Sequence, residues 1–236
     1  MPWYYAVAER YHDLQNPTSP EKIRQLGELL RLGPDLRVLD VACGTGGPAV
    51  LLASTFGCRI TGVERSPDFV AWGRERISEA GLAGRIDIVE GDASAYPLEP
   101  AAWDAALCLG ATFVFHDLAG TIDALLPTVK PGGYLAVGEP YWRQWPLPRE
   151  VDEMGYVPLE ETIARITSRG LALTGLIAAS HDDWDRYKSL RWRAIEEYLS
   201  EHDDPELRDR HELERDKYLR WQRNLMGWAM FVARKP

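Results

Sequence analysis

The run Asp40-Val-Ala42-Cys-Gly44-Thr-Gly46-Gly47 sets an acid and three glycines directly after an apolar stretch. Without side chains, backbone at such a turn approaches a ligand closely, and a turn that opens a helix offers it unpaired N–H groups. Gly44-x-Gly46-x-x-Ala49 fits the loose dinucleotide pattern, a weak signal that a purely structural glycine turn also produces. Glu64 ends the next apolar stretch, where a carboxylate suits the paired hydroxyls of a ribose, in a dinucleotide or in an adenosyl ligand alike. Asp92, in Gly91-Asp92-Ala93, is placed to accept from the amino group of an adenine. Pro131-Gly132-Gly133 closes the set.

Positioning these residues requires a scaffold that brings several strand ends together. Arg37–Ala42, Cys58–Val63, Arg85–Glu90, Trp103–Leu109 and Tyr134–Glu139 read as apolar strands separated by helices at Pro48–Phe56, from Ser66-Pro67 to about Ala80, and at Asp117–Val129. Near-continuous apolar strands alternating with helices predict an α/β fold, a doubly wound and mostly parallel sheet covered on both faces. Before it, Trp3–Gln15 reads as a short aromatic helix, and Ser19-Pro20 as the start of a helix with Ile23, Leu26, Leu29 and Leu30 on one face. After it, Pro140–Pro148 reads as a loop, about Leu159–Ser168 as a helix, Gly170–Ala179 as a sixth strand and Leu225–Ala233 as a seventh. His181–Arg223 between those strands carries 13 acids and 10 bases and reads as two helices split at Asp203-Asp204-Pro205. The expected organisation is one domain over 1–236, with residues 1–33 as an N-terminal helical segment and possible lid, and residues 181–223 as a helical insertion or cap.

A chain of 236 residues is long enough for a full core without disulfides or a structural metal. With 27 basic and 36 acidic side chains the net charge is −9, which argues against nucleic acid and against an anionic membrane surface as partner. Cys43, Cys58 and Cys108 lack metal-type spacing and sit among apolar residues, so buried thiols and no metal site are expected. The N-terminus shows no signal-peptide pattern and no apolar run approaches a membrane span, so the expected location is the cytoplasm. Oligomeric state stays open between monomer and homodimer.

The combination of Asp40 before the glycine turn, the Gly44/Gly46 turn itself, Glu64, Gly91-Asp92-Ala93 and Pro131-Gly132-Gly133 resembles the class I S-adenosylmethionine (SAM)-dependent methyltransferase family over about residues 35–140. The resemblance implies a Rossmann-like sheet of seven strands with the last antiparallel, SAM as methyl donor and S-adenosylhomocysteine as product. It implies that Asp40, Ala42, Gly44 and Gly46 line the methionine end, Glu64 the ribose with Arg65 and Ser66 beside it, Asp92 and Ala93 the adenine, and Leu109 the floor. Ala42 stands where the family usually has glycine, which implies a slightly shifted cofactor. Asn16-Pro-Thr-Ser-Pro-Glu-Lys22, Leu109-Gly-Ala-Thr112, Gly138-Glu-Pro-Tyr-Trp-Arg-Gln144 and Trp184-Asp-Arg-Tyr187 look like the bacterial YjhP-type subgroup, in which Phe113 is often Trp.

In an open α/β sheet the site lies at the carboxyl ends of the strands, so Asp40–Gly44, Leu109–Thr112 and Glu139–Trp142 should converge. Glu139, His116, Tyr141 and His12 are the candidate bases for an acceptor that must lose a proton. Tyr11, Gly110, Thr112, Trp142, Trp145, Trp184 and Tyr187 are the candidate acceptor contacts, with Tyr4 and Tyr5 over the same mouth. Six of the nine Trp residues lie in the last 97 residues; Trp192, Trp221 and Trp228 read as core instead. The expected activity is methyl transfer to a small molecule by in-line displacement. The alternatives are a protein or RNA methyltransferase, a nicotinamide-dependent dehydrogenase and a non-catalytic SAM-binding protein.

Overall fold

The computed structural model describes residues 3–236. Helix α1 (Tyr4–Glu9) and helix α2 (Pro20–Leu29) precede the sheet. Ser19 caps α2 by accepting from the Lys22 N–H, and Pro20 occupies the first turn, where its missing N–H costs nothing. The alternation then runs β1 (Arg37–Val41), α3 (Gly47–Phe56), β2 (Arg59–Glu64), α4 (Pro67–Glu79), β3 (Ile86–Glu90) and β4 (Trp103–Leu109). A 3₁₀ turn (Thr112–Phe115) leads to α5 (Leu118–Leu125), β5 (Val129–Trp142), α6 (Leu159–Thr167) and β6 (Ala172–Ala178). Helices α7 (His181–Glu201) and α8 (Pro205–Lys217), a π turn over Tyr218–Gln222 and β7 (Met226–Arg234) complete the chain.

The seven strands are ordered β3-β2-β1-β4-β5-β7-β6. The first five are parallel, and β7 runs antiparallel to both β5 and β6. Strand alternation divides the core between the two faces. Val38, Leu107, Ala136 and Val232 face α2 and α3, while Leu39, Ala106, Val137 and Phe231 face α5 and α6. The order reverses between β1 and β4, so their carboxyl ends open the crevice in which such sheets bind ligands.

Helix α1 stops at Glu9 rather than running to Gln15, α5 stops at Leu125, and β5 departs from the sequence reading at both ends. Strand β5 runs past Glu139 to Trp142, because β7 pairs with it through Pro140↔Trp228, Tyr141↔Gly227 and Trp142↔Met226. Strand β4 has already ended at Leu109↔Gly138, so β5 has a partner on one side only there and tolerates a proline. Pro131-Gly132-Gly133 belongs to the start of the same strand, with Gly132 at φ 79°.

The N-terminal segment lies against α7. The Arg191 guanidinium donates to buried Glu9, Arg10 and Tyr11 both reach Glu197, and Arg186 donates to the Thr18 carbonyl. In the first turn of α2, Lys22 bonds Asp183, which with Ser180 forms the capping box of α7.

Candidate active site

Strand β1 delivers Asp40 to the mouth of the sheet, and the chain then turns sharply. Ala42 sits at φ 53°, Gly44 at 58° and Gly46 at 70°, all in the left-handed region. That conformation is routine for glycine and strained by about 1–3 kcal/mol in other residues, so Ala42 occupies a position that favours glycine. Gly46 is the N-cap of α3.

Glu64, buried at the end of β2, ties two loops together. Its Oε2 accepts from the Gly44 N–H (3.0 Å) and its Oε1 from the Ser66 N–H (2.8 Å). A carboxylate has about four lone-pair directions, so two remain for ligand hydroxyls. Burial pushes the Asp40 carboxyl up to about 7, and the Glu64 carboxylate nearby adds to the shift.

A cavity of about 490 Å³ opens over this turn, within the range of small-molecule sites. Asp40, Ala42, Gly44, Glu64, Arg65, Leu109, Gly110 and Tyr187 line it. A smaller cavity of about 130 Å³ shares Ala42, Glu64, Arg65 and Phe113 with it and adds Asp92, Ala93 and Val114. The residues expected at the two ends of the cofactor thus border two adjacent cavities with a shared wall. Asp92 Oδ1 accepts from the Ser94 N–H and hydroxyl, which holds its carboxyl below the usual range.

The expected bases are placed elsewhere. Gly138 faces Gly110 and Trp228, so alternation turns Glu139 and Tyr141 to the opposite face of the sheet. There Glu139 accepts from Thr112 Oγ1 (2.8 Å), and burial raises it to about 7. Tyr141 lies edge-on to Phe231. His116 is exposed at φ 78°, closing the 3₁₀ turn with its N–H on the Phe113 carbonyl. Buried His12 has Nε2 on the Tyr187 carbonyl (2.9 Å) and Nδ1 3.3 Å from Glu9, and it lines a separate polar cavity on the other side of the N-terminal segment.

The aromatic expectations divide. Tyr187 lines the main cavity and donates to Glu9 Oε1 (3.2 Å), with Tyr4 and Tyr5 beside it. Trp142 instead is core: it is buried, its Nε1 donates to the Glu153 carbonyl and its ring meets Trp221. The added length of β5 carries it past the strand ends that form the site. Trp184 is buried edge-on against Tyr187, behind the cavity wall. Trp145 is exposed in the loop after β5, and Tyr11 is drawn outward to Glu197 between the Arg10 and Arg193 guanidiniums. None of these lines either cavity, and neither do Thr112, Ser66 and Gly46, the last being taken up as the N-cap of α3. Cys43, Cys58 and Cys108 are buried free thiols, and among the described residues no cluster suited to a metal is present.

Sequence reasoning missed Glu9, Gln15, Asn16 and Phe69 as walls of the main cavity. Glu9 carries no local signal, since its partner Arg191 is 182 residues away. Asn16 did carry one, in the Asn16-Pro17 motif. Phe113, 65% exposed, stands where the two cavities meet.

The pattern of the family described as "Methyltransferase domain" matches residues 38–133. Over 243 aligned residues the chain is 29% identical to YjhP of Escherichia coli (strain K12), with 98% of each covered. It superposes with a TM-score of 0.93 on a SAM-dependent methyltransferase from Geobacter sulfurreducens in complex with S-adenosyl-L-homocysteine, at 32% identity over 100% of this chain and 99% of that one. A partial likeness, 30% identity over 115 residues, links 49% of the chain to 30% of the Botryococcene C-methyltransferase of Botryococcus braunii. The chain belongs to the class I SAM-dependent methyltransferase family.

The Asp40 carboxyl gives this site a pH signature. Its folded value lies above that of an unfolded carboxyl, as does that of Glu139, so both contribute stability that is present below about pH 4 and lost as pH rises through about 7. A bound cation favours the ionised carboxylate. Calorimetry at pH 6 and pH 8 should show SAM, which carries the sulfonium charge, gaining affinity relative to S-adenosylhomocysteine at the higher pH. Asp40→Asn should flatten that difference.

Proposed function

We propose that this protein transfers the methyl group of SAM to a small-molecule acceptor. One observation carries the reading. The cavity of about 490 Å³ over the glycine turn is lined by Asp40, Gly44 and Glu64 and also by the chain's own N-terminal segment with Tyr4, Tyr5, Phe113 and Tyr187. A recess bordered by the protein's own N-terminal segment and walled by aromatic rings suits a compact acceptor rather than a polymer. The partial likeness to a Botryococcene C-methyltransferase, a name that specifies no polymer as acceptor, supports the same class.

The residues present fit the family's cofactor. Glu64, with lone pairs left over, would hold the ribose hydroxyls, Asp92 and Ala93 the adenine, and the buried Asp40 carboxyl the methionine end. When bound, SAM supplies an electrophilic methyl group on a positively charged sulfur. The chain's part in an in-line displacement is to hold the acceptor in line and keep water out. Leu109 and Gly110 form the floor at the end of β4, and Tyr187 and Phe113 the walls. The ionisable groups that the N-terminal segment and α7 bring to the cavity are Tyr4, Tyr5, Glu9 and Tyr187, the last two joined by a hydrogen bond; Glu139, His116, Tyr141 and His12 are not among its walls.

Incubation with methyl-labelled SAM, a mixture of small amines, phenols, thiols and carboxylic acids, and separate RNA and protein acceptors tests this reading. Label is expected in the small-molecule fraction. Label confined to a polymer would overturn it.

A further inference from the structure

Segment 13–16 crosses both cofactor loops, and its side chains meet them in a defined order. Gln15 Oε1 accepts from the Thr45 N–H in the glycine turn (2.8 Å), and Asn16 Nδ2 donates to the Leu109 carbonyl at the end of β4 (2.8 Å). These bonds fix the orientation of both amides, since an N–H needs an oxygen opposite it and a carbonyl needs an NH₂. Gln15 Nε2 is therefore left as a free donor and Asn16 Oδ1 as a free acceptor; among the described residues neither has a protein partner.

The two loops are shaped to receive these amides. A Cβ on Gly44 would overlap Gln15 Oε1, and a Cβ on Gly110 would overlap Asn16 Oδ1. Both residues line the main cavity beside Asp40, Gly44 and Leu109. Neighbouring side chains thus present one N–H donor and one oxygen acceptor, which complement the carboxylate and the ammonium of an α-amino acid.

We propose that Gln15 and Asn16 recognise the amino-acid end of the cofactor, Gln15 Nε2 donating to its carboxylate and Asn16 Oδ1 accepting from its ammonium. This rests on SAM being the cofactor. The contacts that dock the N-terminal segment then also read the ligand beneath it, so the segment is a lid that the cofactor's own tail helps to hold.

The test compares S-adenosylhomocysteine with 5′-methylthioadenosine, which has the nucleoside and no amino-acid tail, by calorimetry. Gln15→Glu keeps the oxygen on Thr45 and replaces the free donor with an acceptor, while Asn16→Leu removes the free acceptor. Each variant should weaken S-adenosylhomocysteine about tenfold or more, in line with lost hydrogen bonds to charged groups, and leave 5′-methylthioadenosine unchanged. Equal weakening of both ligands would make the two residues merely structural, and no change in either would remove them from the site; each result overturns the proposal. Failure of the unmodified protein to bind S-adenosylhomocysteine would instead overturn the cofactor assignment on which it rests.

Discussion

Replacing Glu64 with alanine is expected to weaken S-adenosylhomocysteine binding about tenfold to a hundredfold by calorimetry. Hydrogen bonds to a charged group are worth roughly 1.5–3 kcal/mol, and each 1.4 kcal/mol is about a factor of ten. The loss is expected to be large for a second reason. Glu64 also holds the Gly44 and Ser66 N–H groups, so its removal loosens the glycine turn and the start of α4 together. Asp92→Ala should have a smaller effect, because Asp92 is exposed and its bonds run to neighbouring Ser94 rather than to a second loop. Equal, small losses in both variants would mean that the ribose lies elsewhere.

Gly47→Ala is expected to undock the N-terminal segment. The new Cβ would overlap the carbonyl oxygen of Asp13, a backbone atom that cannot rotate away. That oxygen also accepts from the Arg76 guanidinium (2.8 Å), so the segment loses an anchor as it moves. Overpacking of this kind costs about 1–3 kcal/mol. Limited proteolysis should show faster cleavage within residues 3–18, with the sheet still protected and a melting temperature lower by a few degrees. Unchanged cleavage would show that the turn yields instead of the segment. The same change should reduce S-adenosylhomocysteine affinity, since Gln15 and Asn16 leave with the segment.

Legibility in the sequence followed the range of the forces involved. The strands were readable because burial on both faces makes them apolar throughout, and the caps at Ser19 and Asp204 because they are local hydrogen bonds. The glycine turn and Glu64 were readable because a short βαβ unit sets their spacing. The acceptor side was not. Whether Trp142 faces a site or a core depends on the three extra residues by which β7 extends β5. Whether Glu139 faces the cavity depends on which way alternation points at the end of that strand. Glu9 joins the site through an arginine far along the chain, a pairing that no local pattern announces. The excess of Trp in the last 97 residues resolves the same way: Trp142, Trp184 and Trp228 are buried in the core, and the expected aromatic residues that do line the cavity are the tyrosines Tyr4, Tyr5 and Tyr187.

The acidic character of the chain also has a local counterpart. Asp40, Glu64 and Glu9 line the main cavity with Arg65 as the opposing cation, an arrangement suited to a positively charged ligand.

Calorimetric titration of the unmodified protein with S-adenosylhomocysteine and, separately, with NAD distinguishes a SAM site from a dinucleotide site. Membership of the SAM-dependent methyltransferases predicts saturable one-to-one binding of S-adenosylhomocysteine and no binding of NAD. Binding of NAD alone would contradict it.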